Sequence, residues 1–203
     1  VVNNLSSQGN VQANSLQAST LQATLSVITG TLQATTLIGD GTAITNVLHA
    51  ADKFIVNGSG SCTIQLGYSN TSSGNYSTIG GGQCNYAYGC GSTIVGGQCN
   101  FTFGTASTVS GYLNTACSTN TTIGGGSNNT ACGSHSTVGG GYRNVACGTA
   151  SVVAGGTNNT SSGIYSFIAG GTNNNTNNYT NTFILGSNLS ASQANFTYTN
   201  NLS

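Results

Sequence analysis

Seven consecutive blocks of about 15 residues run from Gly74 to Asn178, and this period constrains the fold more than any other feature of the chain. The blocks are Gly74–Tyr88, Gly89–Phe103, Gly104–Cys117, Ser118–Cys132, Gly133–Cys147, Gly148–Ser162 and Gly163–Asn178, the third one residue short and the last one residue long. A short fixed period without helical phase predicts stacked coils, an all-β parallel β-roll or β-solenoid. Such a chain presents a rod or a surface rather than a cleft. The expectation is a structural or adhesive protein and not an enzyme.

Within a block, Ser-Thr-Ile/Val-x-Gly reads as a strand of four or five residues. Strand side chains alternate, so Ser and Ile/Val share one face and Thr takes the other. The expected core ladder is Ile79, Ile94, Val109, Ile123, Val138, Val153 and Ile168. Two residues on stand Gly81, Gly96, Gly111, Gly125, Gly140, Gly155 and Gly170, read as turn glycines where a side chain clashes or φ is positive. A second turn is expected at Asn85, Asn100, Asn114, Asn129, Asn144, Asn159 and Asn174, since Asn tolerates left-handed φ and bonds its own or the next coil's backbone. One β-branched residue and one Ala per coil bury little apolar area against the entropy of ordering a whole coil. Side-by-side association buries a second face, most simply as a homotrimer about a long axis.

Low charge with many glycines is also the signature of disorder, but a disordered chain has no reason to hold Ile or Val at one position per block. Charged residues make up 2% of the chain: Asp40, Asp52, Lys53 and Arg143, with no Glu. Net charge is zero, which leaves no electrostatic footprint for nucleic acid or an anionic membrane. No apolar run approaches the ~18 residues of a membrane span, and no signal peptide is visible. The chain contains no Met, so it is expected to be a processed product or a segment of something longer. Asn3-Asn4-Leu5-Ser6 recurs as Asn200-Asn201-Leu202-Ser203, either by chance or because the chain is one unit of a tandem array.

The period organises the rest of the sequence. Residues 1–50 carry recurring Leu-Gln-Ala triplets and a segment rich in Thr, Val and Ile, and read as a β-rich N-terminal fibre segment. A helix over Ser15–Leu25 is the competing reading. Gly39-Asp40-Gly41 signals a tight turn. Residues 51–73 read as a junction and a degenerate first coil, 74–190 as the repeat β-roll, and 191–203 as a cap or the lead into a next unit.

The seven cysteines are periodic, and an odd count excludes full internal pairing. Cys117, Cys132 and Cys147 each end a block, while Cys84 and Cys99 share another position. Three readings stand: a small, partly buried filler; vertical disulfides such as Cys117–Cys132, since strands ~4.8 Å apart fall within disulfide range; or metal binding, for which the lone pair Cys132 and His135 is a poor pattern.

Two segments resemble a known family. Asn144-Val-Ala-Cys-Gly-Thr-Ala-Ser-Val-Val-Ala-Gly-Gly156 and Asn129-Thr-Ala-Cys-Gly-Ser-His-Ser-Thr-Val-Gly-Gly-Gly141 are similar to the YadA-like head repeats of trimeric autotransporter adhesins, roughly Asn-x-Ala-x-Gly-x-x-Ser-x-Val/Ile/Ala-x-Gly. The resemblance covers about residues 60–190. It implies a left-handed parallel β-roll, three chains per head, and attachment to surfaces, glycans, matrix or hosts. Similar repeats occur in phage and large-virus fibres, and Leu37-Ile-Gly-Asp-Gly-Thr-Ala-Ile-Thr-Asn46 resembles a segment of such proteins. Neither a heptad stalk nor a membrane-anchor barrel is present, and Cys stands where Ser is usual at block ends. The expected setting is therefore a virion or cell-surface extracellular fibre, with an adhesin-head fragment as the alternative.

Candidate chemistry is sparse. Paired-carboxylate catalysis needs two acids, and Asp40 and Asp52 stand twelve residues apart outside the repeats. His49 or His135 with the many Ser and Cys gives abundance without geometry. No catalytic residue, metal or cofactor is expected, and His135 and Arg143 read as solvated surface. Asn-x-Ser/Thr sequons occur at Asn70, Asn75, Asn100, Asn120, Asn128, Asn158 and Asn178, frequent by chance in so Asn- and Thr-rich a chain. The competing function is ice binding, for which Thr78, Thr93, Thr108, Thr122 and Thr137 form a ladder that Val152 and Phe167 end.

Overall fold

The computed structural model describes residues 59–61 and 63–200. The expected N-terminal segment 1–50 with its turn at Gly39–Gly41, the junction up to residue 58, Cys62 and residues 201–203 lie outside the described residues.

All regular structure among the described residues is β, and the chain alternates between two sheets. The longer sheet has ten strands, from Ile64–Gln65 and Thr78–Ile79 through Thr137–Val138 to Phe183–Leu185 and Thr197–Thr199. The shorter has seven, from Thr71–Ser72 through Thr130–Ala131 to Thr160–Ser161. Each strand pairs in parallel with its equivalent one block on, as Thr137 with Val152 and Val138 with Val153. A third line of parallel bridges runs from Tyr112 through Ser127, Tyr142 and Thr157 to Thr172. Residues 64–199 therefore form a β-solenoid of ~15-residue coils, the architecture the period predicts.

The irregular blocks show how strictly the stack holds its register. Gly104–Cys117 is one residue short, and the pairing steps from Ile94–Val109 to Gly96–Ser110. Val95 is the residue left over, bulged outward and 62% exposed. The extra residue of the last block is taken up at Asn177 and Asn178, both at positive φ. Length differences are thus absorbed where a side chain can face solvent.

The interior is one side chain deep. Ile79, Ile94, Val109, Ile123, Val138, Val153 and Ile168 are all fully buried, continued by Ile184. Tyr198 pairs with Ile184 in the last strand, packs against the core, and accepts the backbone N–H groups of Ser192 and Gln193 at 2.8 Å. The shorter sheet contributes buried Ala87, Ala116, Ala131 and Ala146, with Ser72, Thr102 and Ser161 in the same column.

Backbone geometry gives positive φ at three of the expected turn glycines, Gly81, Gly111 and Gly170, and in most coils places the tightest backbone constraint one residue on at the first turn and one residue earlier at the second. Gly96, Gly125, Gly140 and Gly155 do not have positive φ, whereas Gly81 at 157° and Gly170 at 150° do, with open space beside them. The constrained glycine is the next one: Gly82, Gly97, Gly126, Gly141, Gly156 and Gly171 have φ between 76° and 102°. Gly111 belongs to this set, because the short block aligns it with Gly97. A Cβ on Gly141 would run into the carbonyl oxygen of Gly156 in the next coil. The second turn likewise places left-handed φ at Cys84, Cys99, Leu113, Asn128, Arg143, Asn158 and Asn173, each just before the Asn ladder.

The Asn ladder itself points inward and is fully buried through most of its length. Asn144 shows its work. Its Oδ1 accepts the backbone N–H of Asn159 at 3.1 Å, while its Nδ2 donates to Gly140 O at 2.9 Å and Gly156 O at 2.8 Å. The same pattern repeats from Asn85 to Asn174, and Asn70 begins the ladder one coil earlier. One amide satisfies a donor and an acceptor that the corner would otherwise strand, and gives the next coil's glycine carbonyl a second donor beside its backbone N–H.

Candidate functional site

With the interior this narrow, chemical variety is confined to outward ladders. On the longer sheet Thr78, Thr93, Thr108, Thr122 and Thr137 stack in register. Two residues on stand Gly80, Gly124 and Gly139 beside three of the threonines, whereas Thr108 is followed by Ser110 and Thr93 by the outward Val95. The column continues as Val152, Phe167 and Phe183, and the last two rings stack at 4.8 Å.

The shorter sheet carries the most distinctive face. Tyr86 stacks on Phe101 at 4.9 Å and Tyr88 on Phe103 at 5.4 Å, four rings in two adjoining columns. Above them the outer column changes from aromatic rings to Cys117, Cys132 and Cys147. Pairing of Thr115–Ala116 with Thr130–Ala131, and of these with Val145–Ala146, carries the three cysteines into vertical line at the next residue. The Cys132 thiol lies 2.9 Å from Cys117 Sγ, and Cys117 and Cys147 are exposed. Burial, then the thiols of Cys117 and Cys147, push the Cys132 thiol well above its ordinary range. Cys99 is also raised, by burial and by Cys84 on the coil below.

The turn tips hold His135 and Arg143, each exposed at left-handed φ. His135 Nε2 lies 3.2 Å from Asn120 Nδ2, and the Arg143 guanidinium sits 5.0 Å from the Tyr142 ring centre. A left-handed tip throws its side chain off the stack, which is why a charge is accommodated there. Two sequon asparagines, Asn70 and Asn100, are buried in the interior ladder, whereas Asn75, Asn120, Asn158 and Asn178 are exposed.

Asp40 and Asp52 lie outside the described residues, so the expected weakness of acid–base chemistry is not decided by geometry. Among the described residues no group of three or more His, Cys, Asp or Glu is arranged to hold a metal ion. Cys132 and His135 are not gathered with further ligands, and the three block-end thiols lie along a line rather than about a point. No described helix is long and apolar enough to cross a membrane. Sequence reading missed the stacked aromatic quartet, whose signal was the alternation Tyr86-x-Tyr88 followed one period later by Phe101-x-Phe103. No family model matches the chain, and a search of curated proteins finds no match either.

Proposed function

We propose that this chain is a non-enzymatic segment of an extracellular fibre, on a virion or a cell surface, that associates as a homotrimer and serves in attachment or as structural filament. The observation that carries the reading is the one-side-chain-deep interior, which leaves every coil's variable residues on outward ladders. A stack with that cross-section grows by adding coils and offers long faces for contact. The thin core favours burying one of those faces between chains. A bacterial adhesin head is the closest alternative within the same class, and tandem units in a longer filament fit the same geometry.

Sedimentation of the purified segment tests the association. Three chains with and without reductant are expected; a monomer under both conditions would overturn the trimer. Binding to glycan, matrix or cell arrays separates attachment from a plain spacer. The in-register threonine strip favours one second reading, ice binding. Freezing-point hysteresis at millimolar protein would support it, and its absence would remove it.

A further inference from the structure

We infer that Cys117, Cys132 and Cys147 form a three-thiol oxidation site in which Cys132 closes a disulfide with one neighbour at a time and the third thiol stays free. The inference stands on the stack itself and does not depend on the fibre reading. Three observations carry it. The strand register places the three residues on successive coils of one face. Backbone bonds lock that register on either side of the sulfurs, Cys117 N–H to Ala131 O at 2.9 Å and Cys132 N–H to Ala146 O at 2.8 Å. The Cys117 and Cys132 sulfurs already stand 2.9 Å apart, well inside non-bonded sulfur contact and less than an ångström from a bond of about 2.05 Å.

Adjacent coils are spaced about 4.8 Å, within the Cα range of a disulfide, whereas Cys117 and Cys147 are two coils apart and beyond the limit of about 7 Å. Every bridge must therefore include Cys132. With three thiols on one line, one is always left over.

The step needs an oxidant, and a small disulfide R–S–S–R is sufficient. The exposed thiolate of Cys117 or Cys147 attacks it, expelling R–S⁻ and forming a mixed disulfide. Cys132 then gives up its proton and attacks the protein sulfur of that mixed disulfide, expelling the second R–S⁻, which takes a proton up. Two protein thiols are oxidised and one R–S–S–R is reduced to two R–SH, the leaving thiolates taking up the two protons that the protein thiols lose. The remaining terminal thiolate can attack Cys132 within the bridge, which moves the bond one coil along and frees the opposite cysteine.

Arg143 makes the bridge readable. The chain holds only two residues cleaved by trypsin, Lys53 and Arg143, and Cys147 is the one cysteine beyond Arg143. The folded protein is treated with oxidised glutathione, unfolded with iodoacetamide present, cut with trypsin and weighed by mass spectrometry. Expected are two populations: peptide 144–203 joined through Cys132 to peptide 54–143, and peptide 144–203 alkylated at Cys147 with Cys117 bonded to Cys132. Cys117→Ser should drive nearly all of the protein into the joined form. Cys132→Ser, which places at the block end the residue already present at Ser162, should leave Cys117 and Cys147 both alkylated. Alkylation of all three in the oxidised wild type would overturn the inference. So would joined peptides in Cys132→Ser, or covalent dimers in place of the intrachain bridge.

Discussion

Two polar columns line the interior of the stack, and they are built on opposite terms. In the Asn column each amide is fully committed: Asn129 Nδ2 donates to Gly125 O at 3.1 Å and Gly141 O at 3.0 Å, and its Oδ1 accepts from Asn144 N at 2.9 Å. In the Ser column the hydroxyl is matched by different partners in different coils: Ser107 donates to Ser118 O at 2.8 Å and accepts from Thr121 at 2.9 Å, and elsewhere the shorter sheet supplies a second hydroxyl. Ser72 meets Ser77 at 2.6 Å, Thr102 donates to Ser92 at 2.9 Å, and Ser161 meets Ser166 at 2.7 Å. Where that sheet supplies Ala131 and Ala146, the buried hydroxyls of Ser136 and Ser151 have no partner. The difference teaches that the first column needs the same bonding geometry in every coil, whereas the second keeps a small side chain even in the two coils where its hydroxyl has no partner. A corner presenting two carbonyls and one N–H admits only a primary amide, whereas the Ser position asks for a side chain small enough to fit between coils.

Breaking the Asn column should have the largest effect. Asn144→Leu strands the Asn159 N–H and the Gly140 carbonyl, and takes one of two donors from Gly156 O, which keeps the Tyr142 N–H at 3.0 Å. At ~1–3 kcal/mol for each buried orphan, a loss of about 4 kcal/mol is expected in urea unfolding. A loss under about 1 kcal/mol would show that the amide is dispensable. Next in size is the contrast between neighbouring glycines of the same corner. Gly141→Ala, at φ 93° and against Gly156 O, should cost about 3 kcal/mol. Gly140→Ala meets only Gly125 at 3.9 Å and should gain roughly 0.5 kcal/mol by restricting the unfolded chain. Equal effects at the two positions would discard the one-residue shift of the turn. The last and smaller contrast sharpens the Ser side. Ser151→Ala removes an unpaired buried hydroxyl and should raise stability by about 1 kcal/mol. Ala146→Ser, which restores the pairing seen at Ser161 and Ser166, should leave Ser151 bonded and remove the gain of the Ser151→Ala change. A destabilised Ser151→Ala would mean that the hydroxyl has a partner after all.

Much of this was legible in the residues. β-branched Ile and Val at one place per block, with Ser two places before, specify a strand with one inward face, and the interior follows that alternation from Ile79 to Ile168. The turns were less legible because two neighbouring glycines, such as Gly140 and Gly141, look alike in sequence. Only the approach of Gly156 O from the next coil tells them apart. The Asn ladder was found for a partly different reason. The left-handed residue is the one before it, occupied by residues as unlike as Cys99, Leu113 and Arg143, so no side-chain preference announced it. The thiol column was visible as a period, but its sulfur separation depended on the rotamers that stacking selects.

By itself, the sequence determined that the chain repeats, that each repeat is extended rather than helical, and which residue of each coil is apolar. These are local facts, set by side-chain branching and alternation along a single strand. The tertiary structure decided which glycine must lack a Cβ, which atoms each Asn satisfies, and which serines are left unpaired. Those choices depend on the neighbouring coil, and a residue one period away becomes a neighbour only when the chain has stacked.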